Sequence, residues 1–270
     1  MPTDANTHAW IRLAAIGAVA GLFASLFGVG GGIVMVPLLV LLVGFETKIA
    51  TATSLAAIIL TATVGAITHA TLGNVAWEYA ILIGVPAMAG LLIGLWIKER
   101  ISARSLTLAF AGLLMAVAVW LMIKQALPDE TPVSIDVARA AGAAGLGVAA
   151  GALAGLFGVG GGILFVPALT LVVGLPHLQA EGASLLAIIP VSILGSWRQH
   201  RSGTVRWRAA ATMGVASVLT AVAGAFLAEA TPARTLQVLF AVLMIATAVQ
   251  LVIRERPRTP TPRSASTPQN

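Results

Sequence analysis

The chain has 270 residues, of which 58% are hydrophobic and only 10% are charged. A soluble domain carries about 25% charged residues, so this chain cannot cover a water-facing surface and is predicted to lie in a membrane. The net charge of +6 does not indicate nucleic-acid binding, because the basic residues cluster beside apolar runs, as in cytoplasmic loops of membrane proteins. The chain has no cysteine and its four histidines show no metal-ligand spacing, so no disulfide, metal site or cofactor is expected.

Apolar runs of about 20 residues recur along the chain, and this length spans the hydrocarbon core of a bilayer as a helix. We therefore predict an all-α polytopic fold. After an N-terminal tail at 1–10, the first transmembrane repeat, 11–124, has helical segments at 11–27, 33–44, 50–70, 79–97 and 104–124. A linker at 125–135 leads to the second repeat, 136–253, with segments at 136–157, 163–174, 180–197, 208–227 and 234–253, and a disordered basic tail follows at 254–270. The second segment of each repeat has about 12 residues, which predicts a broken or re-entrant hairpin.

The two repeats are copies of one unit. The seven residues from Phe27 to Ile33 recur unchanged from Phe157 to Ile163, at an offset of 130 positions. The register holds for about 90 residues without a gap, so that Trp77, for example, matches Trp207. Self-similarity at a fixed offset predicts an internal duplication.

The loop charges predict that the repeats are inverted. The loop at 71–78 has no Lys or Arg, whereas its counterpart at 198–208 has four Arg. Basic loops face the cytoplasm, so equivalent loops lie on opposite sides of the membrane. Inverted repeats of this kind are typical of secondary transporters. The same rule predicts that both termini are cytoplasmic and that the 125–135 linker is outside.

Each copy of the repeated motif interrupts an apolar helix with glycines. They are Gly28, Gly30, Gly31 and Gly32 in the first repeat and Gly158, Gly160, Gly161 and Gly162 in the second. Glycine permits positive φ and close backbone approach, and a helix that starts inside the protein presents free N–H groups at its first turn. We predict that the two copies converge and bind an anionic substrate near the midplane. The alternative is a tight hairpin that only lets the helices pack.

Prolines and hydroxyl residues accompany the glycines. Pro37 and Pro167 lie a few residues into the short helices, where a proline bends the helix and frees a carbonyl. Thr53, Ser54 and Ser184 follow the short helices and carry hydroxyls that can donate hydrogen bonds to an oxyanion. Such hydroxyls also join transmembrane helices to each other, so ligand contact and helix packing both remain open.

Ionisable residues within membrane segments are rare and point to function. His69 lies near the end of the third segment, where it is either a proton acceptor or an interfacial histidine. Glu181 lies at the mouth of the second repeat, where it is either a gating group or a solvated loop charge. We predict that these two residues are the candidates for proton coupling or gating.

At the paired motifs the chain resembles the sulfite exporter TauE/SafE family, also called the TSUP permeases. The resemblance is carried by Gly28-Val29-Gly30-Gly31-Gly32 with Pro37 and by Gly158-Val159-Gly160-Gly161-Gly162 with Pro167, and it covers about residues 11–253. It implies a multi-pass permease of the bacterial inner membrane. It further implies that the substrate is sulfite, an organosulfonate or a related sulfur-containing organic anion.

We therefore expect a secondary transporter that works by alternating access, with a small anion and the lipid bilayer as its partners. The chain has no Walker A sequence, so it does not use ATP by itself, and it has neither G-x-S-x-G nor H-E-x-x-H, so an enzyme is not expected. A passive anion channel and an accessory membrane subunit without transport activity are the open alternatives. A homo-oligomer is compatible with the sequence.

Overall fold

The computed structural model describes residues 4–124 and 137–255, and within these ranges the protein consists of helices without strands. The first repeat contains α1 (Asp4–Leu26), α2 (Gly32–Leu38), the π-helix π1 (Leu39–Val43), α3 (Thr47–Thr71), α4 (Trp77–Arg100) and α5 (Ala103–Lys124). The second contains α6 (Val137–Phe157), α7 (Gly162–Ala168), the π-helix π2 (Leu169–Val173), α8 (His177–Arg201), α9 (Trp207–Ala230) and α10 (Ala233–Glu255). The predicted all-α fold, with five helical segments in each repeat, is confirmed.

The helix ends differ from the predicted ones by a few residues. α1 begins at Asp4, so residues 4–10 continue the first helix rather than forming a separate tail. No glycine or proline lies between Asp4 and Ile11 to stop it. α10 extends to Glu255, two residues past the predicted end at 253. The linker at 125–135 and residues 256–270 of the tail lie outside the described residues and stay predictions.

Eight of the described helices are long and apolar enough to cross a bilayer, namely α1, α3, α4, α5, α6, α8, α9 and α10. The segment from Gly32 to Val43, which combines α2 with π1, is apolar but shorter. Large apolar side chains cover the outer surface, and Leu219 is 82% exposed. Because lipid tails solvate such side chains, the protein is a multi-pass membrane protein.

The glycine-rich segment of the first repeat is re-entrant. Arg12 near the start of α1 donates a hydrogen bond of 3.4 Å from Nη1 to the carbonyl of Leu42, so α2 and π1 return to the end at which α1 began. The hydroxyls of Thr47 and Thr107 lie 3.0 Å apart and place the starts of α3 and α5 together. We name the end that holds Leu42 and the start of α3 end A, and the opposite end, where α3 terminates, end B.

The helices of the two repeats pair across the molecule in an inverted arrangement. α3 and α8 run antiparallel, because a Cβ on Gly65 would lie 3.0 Å from Leu185 and a Cβ on Gly195 would lie 2.3 Å from Leu55. α1 packs parallel to α9, and its counterpart α6 packs parallel to α4. Equivalent helices therefore point in opposite directions through the membrane, as the loop charges predict.

Small residues bring these helices into backbone contact. A Cβ on Gly151 of α6 would lie 1.9 Å from the carbonyl oxygen of Ala87 in α4, and a Cβ on Gly17 of α1 would lie 2.2 Å from the carbonyl oxygen of Met213 in α9. Helix association in lipid relies on this close packing, because burial of apolar surface gives little driving force there. The pairs α1–α9 and α4–α6 thus hold the two repeats together around α3 and α8.

Candidate functional site

Both repeated motifs fold into loops of the same backbone conformation. In the first glycine loop (Phe27–Gly31) the φ angles of Gly28, Gly30 and Gly31 are 67°, 70° and 85°. In the second glycine loop (Phe157–Gly161) the three equivalent glycines have φ angles of 69°, 73° and 90°. Positive φ strains residues with a Cβ, which explains why glycine occupies these positions. The two loops therefore form equivalent structures on opposite sides of the repeat interface.

The two glycine loops meet in the interior. A Cβ on Gly32 would lie 2.5 Å from Cα of Val159, and a Cβ on Gly162 would lie 2.4 Å from Cα of Val29. Each loop thus touches the first residue of the short helix that follows the other loop. The eight glycines of the two motifs are brought together in one place, although they come from chain segments 130 positions apart.

The loops contain backbone N–H groups without acceptors. In the first loop the amide of Val29 donates to the carbonyl of Ala24 at 3.1 Å, and the amide of Val34 donates to the carbonyl of Gly31 at 3.1 Å. Between them, the amides of Gly30 and Gly31 have no acceptor among the described residues. The same is true of the second-loop amides, those of Gly160 and Gly161. All four glycines are buried, and buried N–H groups without a partner are rare in proteins.

Two equivalent isoleucines lie against both loops. A Cβ on Gly30 would lie 3.0 Å from Ile58 of α3, and a Cβ on Gly160 would lie 2.8 Å from Ile188 of α8. Both isoleucines are fully buried. Their side chains therefore fill the space beside the glycines in this conformation. The sequence predictions do not include them, because the offset of 130 positions shows that the two isoleucines are equivalent but not that they face the loops.

The predicted hydroxyl residues occupy three different environments. Ser184 of α8 donates a hydrogen bond of 2.6 Å to the carbonyl of Gly28 and so contacts the first glycine loop directly. Its counterpart Ser54 on α3 is fully buried, and its hydroxyl has no hydrogen-bond partner among the described residues. Thr53 accepts a hydrogen bond of 3.2 Å from the amide of Arg206, so its hydroxyl holds the loop before α9.

The prolines lie where the short helices change their winding. Pro37 is inside α2 and π1 follows at Leu39, while Pro167 is inside α7 and π2 follows at Leu169. A proline cannot donate the hydrogen bond of a regular turn, and the wider π-helical turns follow directly. In the second repeat, the Thr170 hydroxyl donates to the carbonyl of Pro167 at 3.1 Å. The prolines therefore mark a change of helix type rather than the end of the helix.

Both candidate ionisable residues are inside the protein. His69 is fully buried, and its Nε2 donates a hydrogen bond of 2.9 Å to the carbonyl of Ser25, just before the first glycine loop. Burial of this side chain shows that it is packed against protein, so the choice between a proton acceptor and an interfacial histidine stays open. The ring fastens the end of α3 to the end of α1.

Glu181 is also fully buried, which contradicts the alternative of a solvated loop charge. A Cβ on Gly28 would lie 2.5 Å from its Cα, so α8 contacts the first glycine loop at this residue. Its Oε1 lies 3.2 Å from Nε2 of His177, one helical turn earlier. Thr51 is the equivalent residue in the first repeat and packs in the same way against Gly158, but it carries no charge. The carboxyl is therefore an asymmetric feature of an otherwise symmetric contact.

Among the described residues, no group of three or more His, Cys, Asp or Glu side chains is arranged to hold a metal ion. The groups that the structure brings together are backbone amides, two serine hydroxyls and one buried carboxyl. Their chemistry is hydrogen bonding and proton exchange. Such a set of groups can bind and release a ligand.

Comparison with known proteins identifies the family. The sequence model of the family described as "Sulfite exporter TauE/SafE" matches residues 13–180 and again residues 143–269. A "Probable membrane transporter protein" of Xylella fastidiosa (strain Temecula1) is 31% identical over 243 residues, which cover 88% of this chain and 93% of that protein. "Probable membrane transporter protein YunE" of Bacillus subtilis (strain 168) is 26% identical over 266 residues, covering 90% of this chain and 97% of that protein. A "Probable membrane transporter protein" of Haemophilus influenzae is 29% identical over 263 residues, which cover 88% of this chain and 96% of that protein. The family match covers most of the chain and occurs twice over overlapping ranges, so this protein belongs to the sulfite exporter TauE/SafE family of membrane transporters.

Proposed function

We propose that the protein is a permease that carries a small anion across the membrane by alternating access, and that the anion is held by the two glycine loops. The observation that carries the proposal is the set of unpaired amides of Gly30, Gly31, Gly160 and Gly161 at the point where the two repeats meet. Neutral N–H donors bind an oxyanion without a permanent buried charge. An unpaired buried donor is costly, so an anion that accepts these hydrogen bonds is stabilised.

Ser54 supports this assignment. Its hydroxyl is fully buried and unpartnered, whereas the equivalent Ser184 is bonded to the carbonyl of Gly28. At this pair of equivalent positions the repeats therefore differ, because the hydroxyl is bonded in one and unpartnered in the other. In the proposal, the Ser54 hydroxyl donates to the bound anion after the adjacent loop has moved.

The isoleucines at the loops explain why a conformational change is required. Ile58 and Ile188 fill the space beside Gly30 and Gly160, so the anion reaches the amides only when α3 or α8 shifts relative to the loops. Each isoleucine lies closest to the loop of its own repeat and also contacts the other loop, so α3 and α8 must shift relative to their own loops while one repeat rocks against the other. The two loops enter from opposite ends, so such a movement exposes the amides first to one end and then to the other.

The family description suggests the substrate class. We propose sulfite or a related organosulfonate, because tetrahedral and pyramidal sulfur oxyanions present several acceptor oxygens to the converging donors. Binding and release alone are required, so the protein acts without covalent catalysis. For this reason a cofactor has no part in the proposal.

We further propose a bacterial inner-membrane location with end A in the cytoplasm. End A carries Lys48, Lys98 and the segment around Ser202, which line one cavity. The Arg-rich loop at 198–208 reaches the same end. Basic residues at one end of a multi-pass protein indicate its cytoplasmic face.

Flux into proteoliposomes tests the function. Purified full-length protein is reconstituted, and uptake of labelled sulfite is measured against taurine, thiosulfate and acetate as competitors. A carrier gives saturable uptake that an excess of substrate on the far side accelerates by counterflow. Unitary currents in planar bilayers would instead show a channel, and the absence of flux for every anion would contradict the proposal.

A further inference from the structure

A cavity lies at end A between α3, α4 and α8. It has a volume of about 180 Å³. We call it the end-A cavity, and it is lined by Lys48, Leu95, Lys98, Glu99, Gln199, Ser202 and Thr204. Only Leu95 among these residues is apolar. The cavity joins α4 of the first repeat to α8 of the second.

Lys98 is a buried lysine with a neutral partner. Its side chain is 6% exposed, and its Nζ donates a hydrogen bond to Oε1 of Gln199. No described carboxylate lies within ion-pair distance of this ammonium group. Glu99 lines the same cavity but is exposed to the surroundings. A buried ammonium group without a counter-charge is strongly unfavourable, so an anionic ligand beside Lys98 stabilises the protonated form of its amine.

Gln199 provides a second donor in the same place. Its side chain is 5% exposed, and its Nε2 has no hydrogen-bond partner among the described residues. The Lys98 contact at Oε1 holds the amide group, and Nε2 is buried without a partner, so an anion in the cavity reaches Nε2 after a small shift of the side chains. The hydroxyl of Thr204 donates to the main-chain carbonyl of Gln199 at 3.1 Å and fixes the chain there. Two donors from adjacent side chains, one charged and one neutral, are therefore held together in a cavity that Lys48 also lines.

The duplication of the fold does not account for this cluster. At an offset of 130 positions Lys98 corresponds to Ala228, Gln199 corresponds to His69, and Lys48 corresponds to Leu178. End B thus lacks both lysines at the equivalent positions. The donors are a property of end A alone.

We propose that the end-A cavity binds a small soluble oxyanion between Lys98 Nζ and Gln199 Nε2, with Lys48 adding positive charge. The ligand is a sulfate-like or carboxylate-like anion. The site goes beyond the proposed transport function, since binding here does not require the glycine loops to open. An anion bound there bridges α4 and α8.

Sulfate binding to the purified full-length protein tests the site. Thermal unfolding in detergent is followed over a sulfate titration at constant ionic strength, with chloride as the replacement anion. A ligand that binds the folded state raises the unfolding temperature with concentration. We expect Lys98→Gln to weaken sulfate binding roughly tenfold or more, because a charged hydrogen-bond donor is lost. Arg104→Gln removes the same charge from an exposed position near the start of α5 and is expected to leave the affinity unchanged.

Gln199→Glu gives a second, independent readout. The new carboxylate pairs with Lys98 inside the protein and occupies the position of the anion. This variant is therefore expected to unfold at the same or a higher temperature than the wild type in the absence of sulfate, and to lose the response to sulfate. A merely structural role of Gln199 would predict the sulfate response to survive.

Three results would overturn the proposal. They are the absence of a sulfate response in the wild type, an equal response in the wild type and both cavity variants, and a Lys98-dependent response to dihexanoyl-phosphatidylglycerol but not to sulfate. The last result would identify a lipid headgroup as the ligand. Ser54→Ala, which alters the glycine-loop region, is expected to leave the Lys98-dependent response intact, so failure of this site and failure of the transport site are distinguishable.

Discussion

The Ser184 hydroxyl donates a hydrogen bond of 2.6 Å to the carbonyl of Gly28, 156 positions earlier in the chain. The bond ties α8 of the second repeat to the glycine loop of the first. The reciprocal contact, in which α3 packs on the second loop, has the Ser54 hydroxyl without a partner. Of the two equivalent serines, one hydroxyl is thus bonded and the other is unpartnered.

Removal of the available hydroxyl tests its role in binding. Ser54→Ala is expected to reduce the kcat/KM of sulfite uptake by roughly five- to tenfold, which corresponds to one hydrogen bond of about 1 kcal/mol. Its unfolding temperature is expected to stay the same or rise, because an unpaired buried hydroxyl is removed. Thr63→Val is the control on the same helix, since the Thr63 hydroxyl bonds only to the carbonyl of Ile59 at 2.6 Å. Equal uptake by both variants would show that Ser54 does not contact the substrate.

The glycine loops can be tested with a control for backbone strain. Gly31 and Gly44 both have positive φ, at 85° and 78°. A Cβ on Gly31 would lie 2.7 Å from the carbonyl oxygen of Ala20, whereas nothing lies within 4 Å of a Cβ on Gly44. Gly44→Ala is therefore expected to lower the stability by about 1 kcal/mol and to leave transport intact. Gly31→Ala is expected to distort the first glycine loop as well and to abolish transport. Thermal unfolding and sulfite flux of the two variants check this, and full flux in Gly31→Ala would contradict the loop assignment.

Much of this arrangement follows from the sequence, since a fixed offset of 130 and the opposite charges of equivalent loops predict inverted repeats. The convergence of Gly32 and Gly162 follows from the same two facts. The positions of Ile58 and Ile188 do not, because an isoleucine in an apolar helix looks the same whether it faces lipid or the loops. Lys98 and Gln199 lie 101 positions apart on helices of different repeats, so only the packing of α4 against α8 reveals their contact.

Helix packing gives a test of the fold that is independent of function. A Cβ on Gly151 would lie 1.9 Å from the Ala87 carbonyl oxygen, whereas nothing lies within 4 Å of a Cβ on Gly112 in α5. Gly151→Ala is expected to force α4 and α6 apart and to lower the stability by several kcal/mol, as overpacking does. Gly112→Ala is expected to raise it by about 0.5–1 kcal/mol, because alanine loses less backbone entropy in a helix. Unfolding in detergent compares the two, and similar effects of both changes would contradict the close packing of α4 on α6.

Proton coupling, if present, is expected to depend on Glu181 rather than on His69. Glu181 is a buried carboxyl at the first glycine loop with His177 beside it, so it can take up a proton when the loop region opens. His69 is held by the carbonyl of Ser25 through Nε2, and its counterpart in the second repeat is Gln199. Glutamine retains an N–H donor for the Ser25 carbonyl. Uptake is measured with an imposed pH gradient. We expect uptake by Glu181→Gln to lose its dependence on the gradient and uptake by His69→Gln to keep it. The reverse result would assign the coupling to His69.

The proposed orientation is tested by cysteine labelling, for which a chain without native cysteine is well suited. Glu78 lies at the start of α4 at end B, and Ser202 follows α8 at end A; both residues are exposed. With end A in the cytoplasm, a membrane-impermeant maleimide added to intact spheroplasts is expected to label Glu78→Cys and to spare Ser202→Cys until the membrane is permeabilised. The two variants serve as controls for each other, because each reports one face of the same protein. Labelling of Ser202→Cys alone in intact cells would place end A outside and reverse the assignment of the cytoplasmic face.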